Sequence, residues 1–514
     1  MLKKLLKFLS SKMFMVPMLI LLQLAMVIIP MQLLDEYSEL VNFVNRVLAL
    51  ILAIYIASKP DNPTYRLTWI MLLLATPFLG VLTYFLFGER KVPKELRVRD
   101  KRLQRSMDRY MMDEEEILEE LKKEDSDAYK QSRYLSNISS FPLYNHTKTK
   151  YFSLGEDQFD EMVRQLENAK SYIFMEFFII KQGYMWSTIV DVLKRKASEG
   201  VDVRLIYDDY GCLASFEEGY VEKLKEMGIK AKAFNPIEPR LAIQMNNRDH
   251  RKILVVDGKI AMTGGINLAD EYINKQVRFG HWKDCGCMIE GKAVWSFTFM
   301  FLQFWNYDEK DDQKDDYESF HADSEEAAGI ENDGYVQPFA DTPTDDENVG
   351  EYVHINMINS ATDYVYITTP YLVIDQEMKT ALVLAAKNGI DVRILVPHIP
   401  DKWYVFALTQ HYYSELIKSG VRVYEYTPGF VHAKTFVSDD KYAVVGTTNM
   451  DYRSYYLHYE CGAWFYKSSL IKDMKEDYLK TLEISYEVTM EDCKKVKLPI
   501  RILRSILNLL SPLF

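Results

Sequence analysis

The chain has 514 residues, of which 48% are hydrophobic and 26% charged, a composition that excludes wholesale disorder and leaves room for two or three domains. The formal net charge of −12 is concentrated between Tyr307 and Asp333, where 12 acidic and 2 basic residues give −10, so the low isoelectric point says little about a partner. Five cysteines without a CxxC pair are too few to cross-link so long a chain, which indicates a reducing, disulfide-free compartment.

Three apolar stretches open the chain, at Phe14–Leu34, Val41–Ser58 and Leu67–Phe87. A helix needs about 20 residues to cross a bilayer, so the first and third stretches are long enough and the second is marginal. The first stretch is too long for a typical signal peptide, and no small-x-small cleavage site follows it. We therefore predict a membrane segment of two or three apolar helices over residues 1–90, rather than buried helices of a soluble core.

Basic residues flank this segment on both sides. Four lysines precede the first stretch, and Glu89–Arg105 contains 8 basic and 3 acidic residues, so both ends are expected in the cytoplasm. This requires an even number of crossings, and the first stretch, interrupted by Pro17 and Pro30, is then expected to lie in the interface or to re-enter. The basic part of a charged connector, residues 91–140, would lie against anionic headgroups.

An internal repeat follows the connector. The near-identical segments Gly200–Ile206 and Gly389–Leu395 each end a helix with glycine and continue as a β-branched strand. Strands that alternate with helices predict an α/β fold with a largely parallel sheet covered on both faces. We expect two domains related by a pseudo-two-fold axis, at 141–306 and 336–490, joined by a solvated acidic linker at 307–335.

Each half carries the same polar constellation at the same spacing. It comprises His250, Lys252, Asp257 and Asn267 in the first half, and His432, Lys434, Asp439 and Asn449 in the second. One HxKxxxxD motif is expected by chance roughly 0.05 times in such a chain, so two motifs placed alike are not accidental. Side chains two residues apart on a strand point to one face, and the glycine-rich turn before each asparagine brings it close to the same point.

The two halves would thus supply two imidazoles, two ammonium groups and two amides to one pocket, which suits a phosphodiester. The lysines and asparagines can bind the non-bridging oxygens without a metal, so we expect neither metal nor cofactor. One histidine can attack phosphorus while the other protonates the leaving alkoxide and then serves as a base. The spacing does not decide which histidine does which, and metal ligation, the competing interpretation, is disfavoured by the nearby lysines.

Four acidic residues are candidates for supporting roles. Asp284 and Glu460 lie downstream of the motifs and would orient the two imidazoles by accepting a hydrogen bond from their second nitrogens, unless they are surface acids. Asp257 and Asp439 lie at an odd offset from their histidines, and therefore on the opposite strand face. Their spacing favours a structural role in a turn.

The last segment, residues 491–514, combines five basic residues with many apolar ones. It is predicted to form an amphipathic helix. Such a helix would lie either in a membrane interface or against the protein.

The duplicated HxKxxxxD motif, followed by GGxN or GTxN, resembles the phospholipase D superfamily. Further segments resemble bacterial cardiolipin synthases, so that the resemblance covers essentially the whole chain: Asn62–Leu72, Leu82–Gly88, Asn246–Ile253, Gly264–Tyr272 and Leu510–Phe514. The chain departs from the commoner pattern at Thr447, where serine is usual, and in its longer acidic linker.

The resemblance implies two phospholipase D-like domains, each a mixed sheet flanked by helices, after an N-terminal transmembrane segment. It implies phosphatidyl transfer between two phosphatidylglycerol molecules, giving cardiolipin and glycerol through a phosphohistidine intermediate. The expected location is the bacterial plasma membrane, multi-pass, with the catalytic domains on the cytoplasmic side. By analogy His250 is the nucleophile and His432 the general acid and base. The implied remainder of the site is Lys252, Lys434, Asp257 and Asp439 in the catalytic set, with Asn267 and Asn449 binding phosphate.

Other functions remain open at this point. A phospholipase D-type hydrolase or a nuclease would use the same residues with water as acceptor, and a related transferase would use phosphatidylethanolamine as one donor. A non-catalytic lipid-binding protein is a further alternative. The membrane segment and the absence of a net basic catalytic region argue against nucleic acid, so the expected partners are phospholipid and the bilayer.

Overall fold

The structure is a computed structural model that describes residues 38–88, 107, 109–111, 115–213, 215–216, 219–236, 247–307, 315–321, 329–345 and 347–513. Two predicted features, the apolar stretch Phe14–Leu34 and the basic part of the connector at 90–105, lie outside these residues. All five cysteines lie within them, and each is a free thiol.

Three helices open the described chain: α1 Ser38–Ala57, α2 Pro63–Ala75 and α3 Pro77–Phe87. They coincide with the second and third predicted stretches, but the third stretch forms two helices because Pro77, which has no N–H to donate, begins a new one. Before α2, the side chain of Asn62 accepts a hydrogen bond from Thr64 N–H at 2.9 Å and caps the helix. Within the described ranges, no helix has both the length and the apolar character that a membrane crossing needs.

The first half of the repeat is built on a seven-stranded sheet in the order β1-β9-β7-β6-β2-β3-β4. The strands of this half are β1 Thr147–Phe152, β2 Tyr172–Phe177, β3 Asp202–Asp208, β4 Lys230–Phe234, β5 Arg248–Asp249, β6 Lys252–Val256, β7 Ile260–Gly264, β8 His281–Lys283 and β9 Gly286–Gly291. The helices are α4 Glu115–Glu124, α5 Ser126–Ser139, α6 Gly155–Asn168, α7 Tyr184–Ser198, α8 Asp209–Cys212, α9 Tyr220–Glu226 and α10 Val294–Trp305, with a 3₁₀ turn at Asp270–Ile273.

The second half repeats this order as β10-β19-β17-β16-β11-β13-β14 and adds β20 at the edge. Its strands are β10 Tyr335–Asp341, β11 Tyr364–Thr368, β12 Leu372–Val373, β13 Asp391–Pro397, β14 Arg422–Tyr426, β15 Gly429–Val431, β16 Thr435–Ser438, β17 Tyr442–Gly446, β18 Met450–Asp451, β19 His458–Tyr466 and β20 Ser485–Glu487. Its helices are α11 Val349–Ser360, α12 Gln376–Lys387, α13 Trp403–Lys418, α14 Tyr452–Tyr456, α15 Leu470–Glu483, α16 Met490–Lys495 and α17 Leu498–Leu509, with a 3₁₀ turn at Ser511–Leu513.

Both sheets are mixed, so the largely parallel sheet expected from alternation is wrong. In the two strand orders given above, β2, β3 and β4, and likewise β11, β13 and β14, pair in parallel, whereas the remaining neighbours pair antiparallel. The strand after each motif turns back as an antiparallel hairpin, β6–β7 and β16–β17. In the first hairpin the reversal occurs at Asp257 and Gly258, whose φ angles of 53° and 67° lie in the left-handed region that a tight turn requires.

The two halves are joined by strands that pair across the boundary. β5 of the first half runs parallel to β19 of the second, and β15 of the second runs parallel to β8 of the first. One hydrophobic core also extends through both halves, from Phe174 and Phe301 to Val437 and Phe465. The boundary between the repeats is therefore a fixed, packed seam.

Three connecting segments have structure that the sequence patterns did not predict. In the connector, α4 and α5 pack into the core of the second half, where Gln131 Oε1 accepts a hydrogen bond from the Trp464 indole at 3.1 Å. In the acidic linker, Tyr317 is buried and Asp315 pairs with Arg204 at 2.7 Å, so this part is not simply solvated. The C-terminal segment is two helices rather than one, because Pro499 lies in the first turn of α17 and cannot continue a helix from α16.

Candidate active site

Each motif histidine follows a short strand that pairs with the opposite half. His250 comes directly after β5, and its N–H donates to Tyr459 O of β19 at 2.9 Å. His432 comes directly after β15, and its N–H donates to Lys283 O of β8 at 2.7 Å. The same backbone bond thus fixes each histidine from the other side of the seam, in pseudo-symmetric positions.

The two candidate carboxylates also reach across the seam. His250 Nδ1 lies 2.9 Å from both carboxylate oxygens of Glu460, and His432 Nδ1 lies 2.7 Å from Asp284 Oδ2. All four side chains are buried. Because each Nδ1–H donates to a carboxylate, Nε2 is the nitrogen that carries the free lone pair. Both acids were predicted from the sequence to orient an imidazole, but the sequence did not indicate that each contacts the histidine of the opposite half.

The environment keeps both imidazoles neutral. Burial lowers the pKa of His250 to about 3, although the charge of Glu460 acts in the opposite direction. Burial, reinforced by Lys434, lowers the pKa of His432 to about 4. Burial by itself would raise the pKa of Glu460 and Asp284, but the histidine that each contacts outweighs it and holds both values low. At neutral pH the site therefore pairs neutral imidazoles with ionised carboxylates.

The two lysines lie beside the histidines and influence one another. Lys252 Nζ donates to His250 O, and Lys434 Nζ donates to His432 O. Burial lowers the pKa of Lys252 to about 7, and repulsion from Lys434 adds to this effect. Burial lowers the pKa of Lys434 to about 8. Two ammonium groups so placed would be stabilised by an anion that lies between them.

The two predicted phosphate-binding asparagines have different surroundings. Asn267 uses both ends of its amide: Oδ1 accepts from Ile179 N–H at 3.0 Å and Nδ2 donates to Tyr272 OH at 2.8 Å. Asn449 is buried, and its Oδ1 has no hydrogen-bond partner in the described part of the chain, an arrangement that costs about 1–3 kcal/mol. Asn449 is therefore the better candidate for contacting a ligand, whereas Asn267 positions Tyr272, whose ring lies 5.4 Å from that of His432.

The residue after the first glycine of each turn, Gly265 or Thr447, lies against the carboxylate that contacts a motif histidine, and its size suits that carboxylate. At Gly265 an added Cβ would lie 1.9 Å from Asp284 Oδ1, so no side chain fits there. At the equivalent position, Thr447 Oγ1 donates to Glu460 Oε2 and accepts from Cys461 N–H at 3.0 Å. The departure at Thr447 from the commoner serine thus keeps a hydroxyl on the carboxylate.

Each motif imidazole also has a ring neighbour from the opposite half. Trp282 lies 5.4 Å from His432 between ring centroids, and the equivalent neighbour of His250 is His458, at 5.3 Å. His458 Nδ1 is buried without a described hydrogen-bond partner and lies 3.7 Å from Glu460 Oε1, too far for a hydrogen bond. His458 was not among the site residues predicted from the sequence. Its position two residues before Glu460, on the same face of the strand, was the available signal.

One group among the described residues has ligand atoms close enough to be considered for a metal. His250, His458 and Glu460 offer such atoms within 4.8 Å of one another. The ammonium group of Lys252 lies next to His250 and opposes a divalent cation. The charge of Lys252 therefore disfavours a metal centre at this group.

The motif aspartates bind backbone N–H groups at the start of a neighbouring strand, as the predicted role in a turn requires. Asp257 accepts hydrogen bonds from the N–H groups of residues 170, 171 and 172 at 2.7–2.8 Å. Asp439 does the same for residues 362, 363 and 364 at 2.7–3.0 Å. Both have φ near +55°, a conformation that aspartate tolerates better than most residues. Their carboxylates tie the hairpin to the start of the neighbouring strand.

Replacing Asp257 with asparagine is expected to weaken this turn while leaving catalysis within about twofold of wild type. The amide loses the charge that strengthens the three hydrogen bonds, worth about 1–2 kcal/mol in total. The temperature of half-inactivation and the initial rate are both measured for the variant. Asp191→Asn, on the exposed surface of α7, is the matched control. A large loss of rate without loss of thermal stability would show that Asp257 acts in catalysis.

The lysine pKa values predict the alkaline side of the pH profile. Protonated Lys252 and Lys434 are needed to bind an anion, and both lose their protons as the pH rises through about 7 and 8. We expect kcat/KM to fall at least about tenfold between pH 7 and 9. Between pH 7 and 5 His250 stays neutral and should impose no loss. The test measures initial rates in non-ionic micelles across this pH range. Returning the enzyme to pH 7 is the control for denaturation, and a flat profile up to pH 9 would contradict the prediction.

Comparison with known proteins agrees with this geometry. Residues 162–279 and 354–482 match the family described as "Cardiolipin synthase, PLD-like domain", and residues 47–89 match the one described as "Phospholipase_D-nuclease N-terminal". The cardiolipin synthase of Alkalihalophilus pseudofirmus is 33% identical over 468 residues, covering 90% of this chain and 91% of that protein. An uncharacterised protein of Streptococcus mutans is 43% identical and covers 90% of this chain and 99% of its own length.

A solved structure shares the fold. The crystal structure of phosphatidylserine synthase from Haemophilus influenzae superposes with a TM-score of 0.57 at 15% identity, covering 75% of this chain and 100% of that one. At this level of identity the likeness concerns the fold alone. It agrees with the duplicated mixed-sheet architecture described above.

Proposed function

The chain belongs to the cardiolipin synthase family of phospholipase D-like proteins, and we propose that it joins two phosphatidylglycerol molecules into cardiolipin and releases glycerol. It is a phosphatidyltransferase of the phospholipase D type. The observation that carries the mechanism is the pair of seam contacts, His250 with Glu460 and His432 with Asp284. They leave two neutral imidazoles with free Nε2 lone pairs beside two lysines.

In the first step, Nε2 of His250 attacks the phosphorus of one phosphatidylglycerol. The new P–N bond forms as the bond from phosphorus to the glycerol oxygen breaks, and His432 donates a proton to that oxygen. Lys252 and Lys434 bind the non-bridging oxygens and stabilise the added negative charge. His432 has a low pKa in its buried position, so it takes up its proton with the substrate, whose negative charge favours the imidazolium form.

In the second step, His432 is neutral again and acts as the base. It removes the proton from a glycerol hydroxyl of the second phosphatidylglycerol, and that oxygen attacks phosphorus as the P–N bond breaks. His250 is released unchanged, and the proton on His432 returns to solvent as the anionic product leaves the site. Throughout, Glu460 accepts the Nδ1–H bond of His250 and balances the positive charge of the phosphohistidine.

We also propose that α1–α3 belong to a membrane segment over residues 1–90, in the plasma membrane and with the catalytic halves on the cytoplasmic side. In support, α1 exposes large apolar side chains along much of its length: Leu40, Phe43, Val44, Val47, Leu50, Ile51 and Ile54. An exposed apolar face of this extent calls for an apolar partner. The proposed domains that follow the connector are 141–306 and 336–490, with the linker 307–335 between them and the C-terminal segment 491–514 after them.

The acceptor is what distinguishes this function from its rivals. Proteoliposomes that contain the full chain should convert phosphatidylglycerol, labelled in its headgroup, into cardiolipin and one equivalent of free glycerol. Phosphatidic acid as the sole product would indicate a hydrolase instead. Ethanolamine released when phosphatidylethanolamine is added would indicate the alternative donor. A chelator should not change the rate, and protein with both His250 and His432 replaced is the control for background activity.

A further inference from the structure

The C-terminal helix α17 has one face that packs on the protein. Leu507 lies against a cluster of Val373, Leu408 and Tyr452. Asn508 Oδ1 accepts from Tyr412 OH of α13 at 2.7 Å. These contacts fix the helix along α13, so its position is determined by the fold.

The opposite face of α17 is apolar and exposed. Leu498, Ile502 and Ile506 are 69%, 52% and 52% exposed, and their four-residue spacing places them in one row along the helix. Leu503, beside this row, is also exposed. A continuous exposed apolar row on a helix with a strongly polar flank is typical of a helix that lies in a membrane interface.

The charge around this row is of one sign. Residues 494–514 contain five basic residues and no acidic one, in a chain whose net charge is −12. Lys494, Lys495 and Lys497 are exposed just before the helix begins. Basic residues beside an apolar row complement the negative headgroups of an anionic leaflet, and phosphatidylglycerol is such a lipid.

The helix is also continuous with the N-terminal helices. Thr68 Oγ1 of α2 donates to Leu509 O at the end of α17, at 2.6 Å. Met71, one turn after Thr68 on the same side of α2, is exposed, and so is Leu67. The end of α17 is therefore fixed to a helix assigned above to the membrane segment, and both helices expose apolar side chains.

We propose that the exposed face of α17 is a second lipid-binding surface, which lies in the headgroup region of an anionic leaflet. The inference rests on the proposed function, because it takes the substrate bilayer as the occupant. It combines the two alternatives that the sequence left open, since one face of the helix packs on the protein and the other faces lipid.

This surface is connected to the catalytic centre through α13. At the start of α13, Trp403 is exposed, and tryptophan is common at membrane interfaces. Nearby, Tyr371 OH donates to Asp401 Oδ2 at 2.6 Å. The ring of Tyr371 lies 6.5 Å from that of Phe430, which lies 5.8 Å from that of His432. If α17 lies in the leaflet, these contacts would keep the catalytic histidines at a fixed distance from the bilayer that contains their lipid substrate.

The direct test places a fluorophore on the exposed face. Leu503→Cys, in a Cys493→Ser background, is labelled with an environment-sensitive dye in the full chain and reconstituted in vesicles of phosphatidylglycerol and phosphatidylcholine. Nitroxide groups on the lipid acyl chains should quench the dye at position 503 at least twofold more than a dye at Ile484→Cys, an exposed position on the second half. Equal quenching at the two positions overturns the proposal, and so does shielding of the dye without quenching, which would indicate a protein occupant.

A functional test uses charge on the same face. The pair Ile502→Glu and Ile506→Glu should slow cardiolipin formation at least fivefold in anionic bilayers, but less than twofold for phosphatidylglycerol dispersed in detergent micelles. Ile484→Glu is the matched control and should change neither rate. An unchanged rate in bilayers, or an equal loss in bilayers and micelles, overturns the proposal. The quenching test needs no product, so a failure of the proposed reaction would be recognised separately.

Discussion

Replacing His250 with asparagine is expected to reduce cardiolipin formation by at least about 10⁴-fold. Asparagine can still donate a hydrogen bond to Glu460 from its amide, so the buried carboxylate keeps a partner and the site should fold. It offers no nucleophilic nitrogen in place of Nε2, and the proposed covalent intermediate cannot form. Steady-state assays in proteoliposomes measure the loss, and a rate near that of the wild type would remove His250 from the mechanism.

The same substitution at His432 separates the two roles. In a phosphatidyl ester of nitrophenol, the nitrophenolate departs from phosphorus without a proton from an acid. The variant His432→Asn should therefore still transfer the phosphatidyl group to His250. The variant then lacks the base for the acceptor hydroxyl. With a substrate labelled in its phosphatidyl group, the acid-labile phosphohistidine should accumulate to one labelled group per chain. His250→Asn is the matched control and should carry no label. Label on His250→Asn together with none on His432→Asn would show that the roles are reversed.

The chemistry of this site could be predicted from the sequence because it depends on local patterns. The two-residue spacing of histidine and lysine fixes which side chains project together, and the repetition in both halves indicates a shared site. The turn after the first motif could also be predicted, since Asp257 and Gly258 form a sequence typical of tight turns, but the antiparallel hairpin that it closes was not. The odd offset of Asp257 from His250 likewise predicted the structural role seen in its hydrogen bonds.

The pairing across the seam could not be predicted in the same way. It depends on β5 and β15, strands of two and three residues that pair with the opposite half over more than a hundred residues of sequence. Nothing in the residues of such short strands specifies a distant partner. The burial of Tyr317 within a highly acidic segment is a similar case, because packing on Phe299 at 5.2 Å between ring centroids overrides the local polar composition.

Replacing Glu460 with glutamine is expected to lower kcat by about 10²–10⁴-fold with little change in substrate binding. The amide of glutamine cannot neutralise the cation that His250 becomes when its Nε2 is phosphorylated, and its NH₂ group can turn toward Nδ1 and favour the wrong tautomer. Thr447 still offers its hydroxyl to the side chain, so the geometry of the turn should persist. With the nitrophenyl ester, the rate of phosphohistidine formation should fall.

The crossed arrangement makes the two carboxylates distinguishable. Asp284→Asn, in the first half, should act through His432 of the second half and slow the transfer to the acceptor, so that phosphohistidine accumulates. Glu460→Gln, in the second half, should instead slow its formation on His250 of the first. Glu161→Gln, the same change at a buried carboxylate held by Arg164 and Gln165, is the control for removing a buried charge. If each carboxylate variant impaired the histidine of its own half instead, the contacts seen across the seam would not be the ones that operate during catalysis.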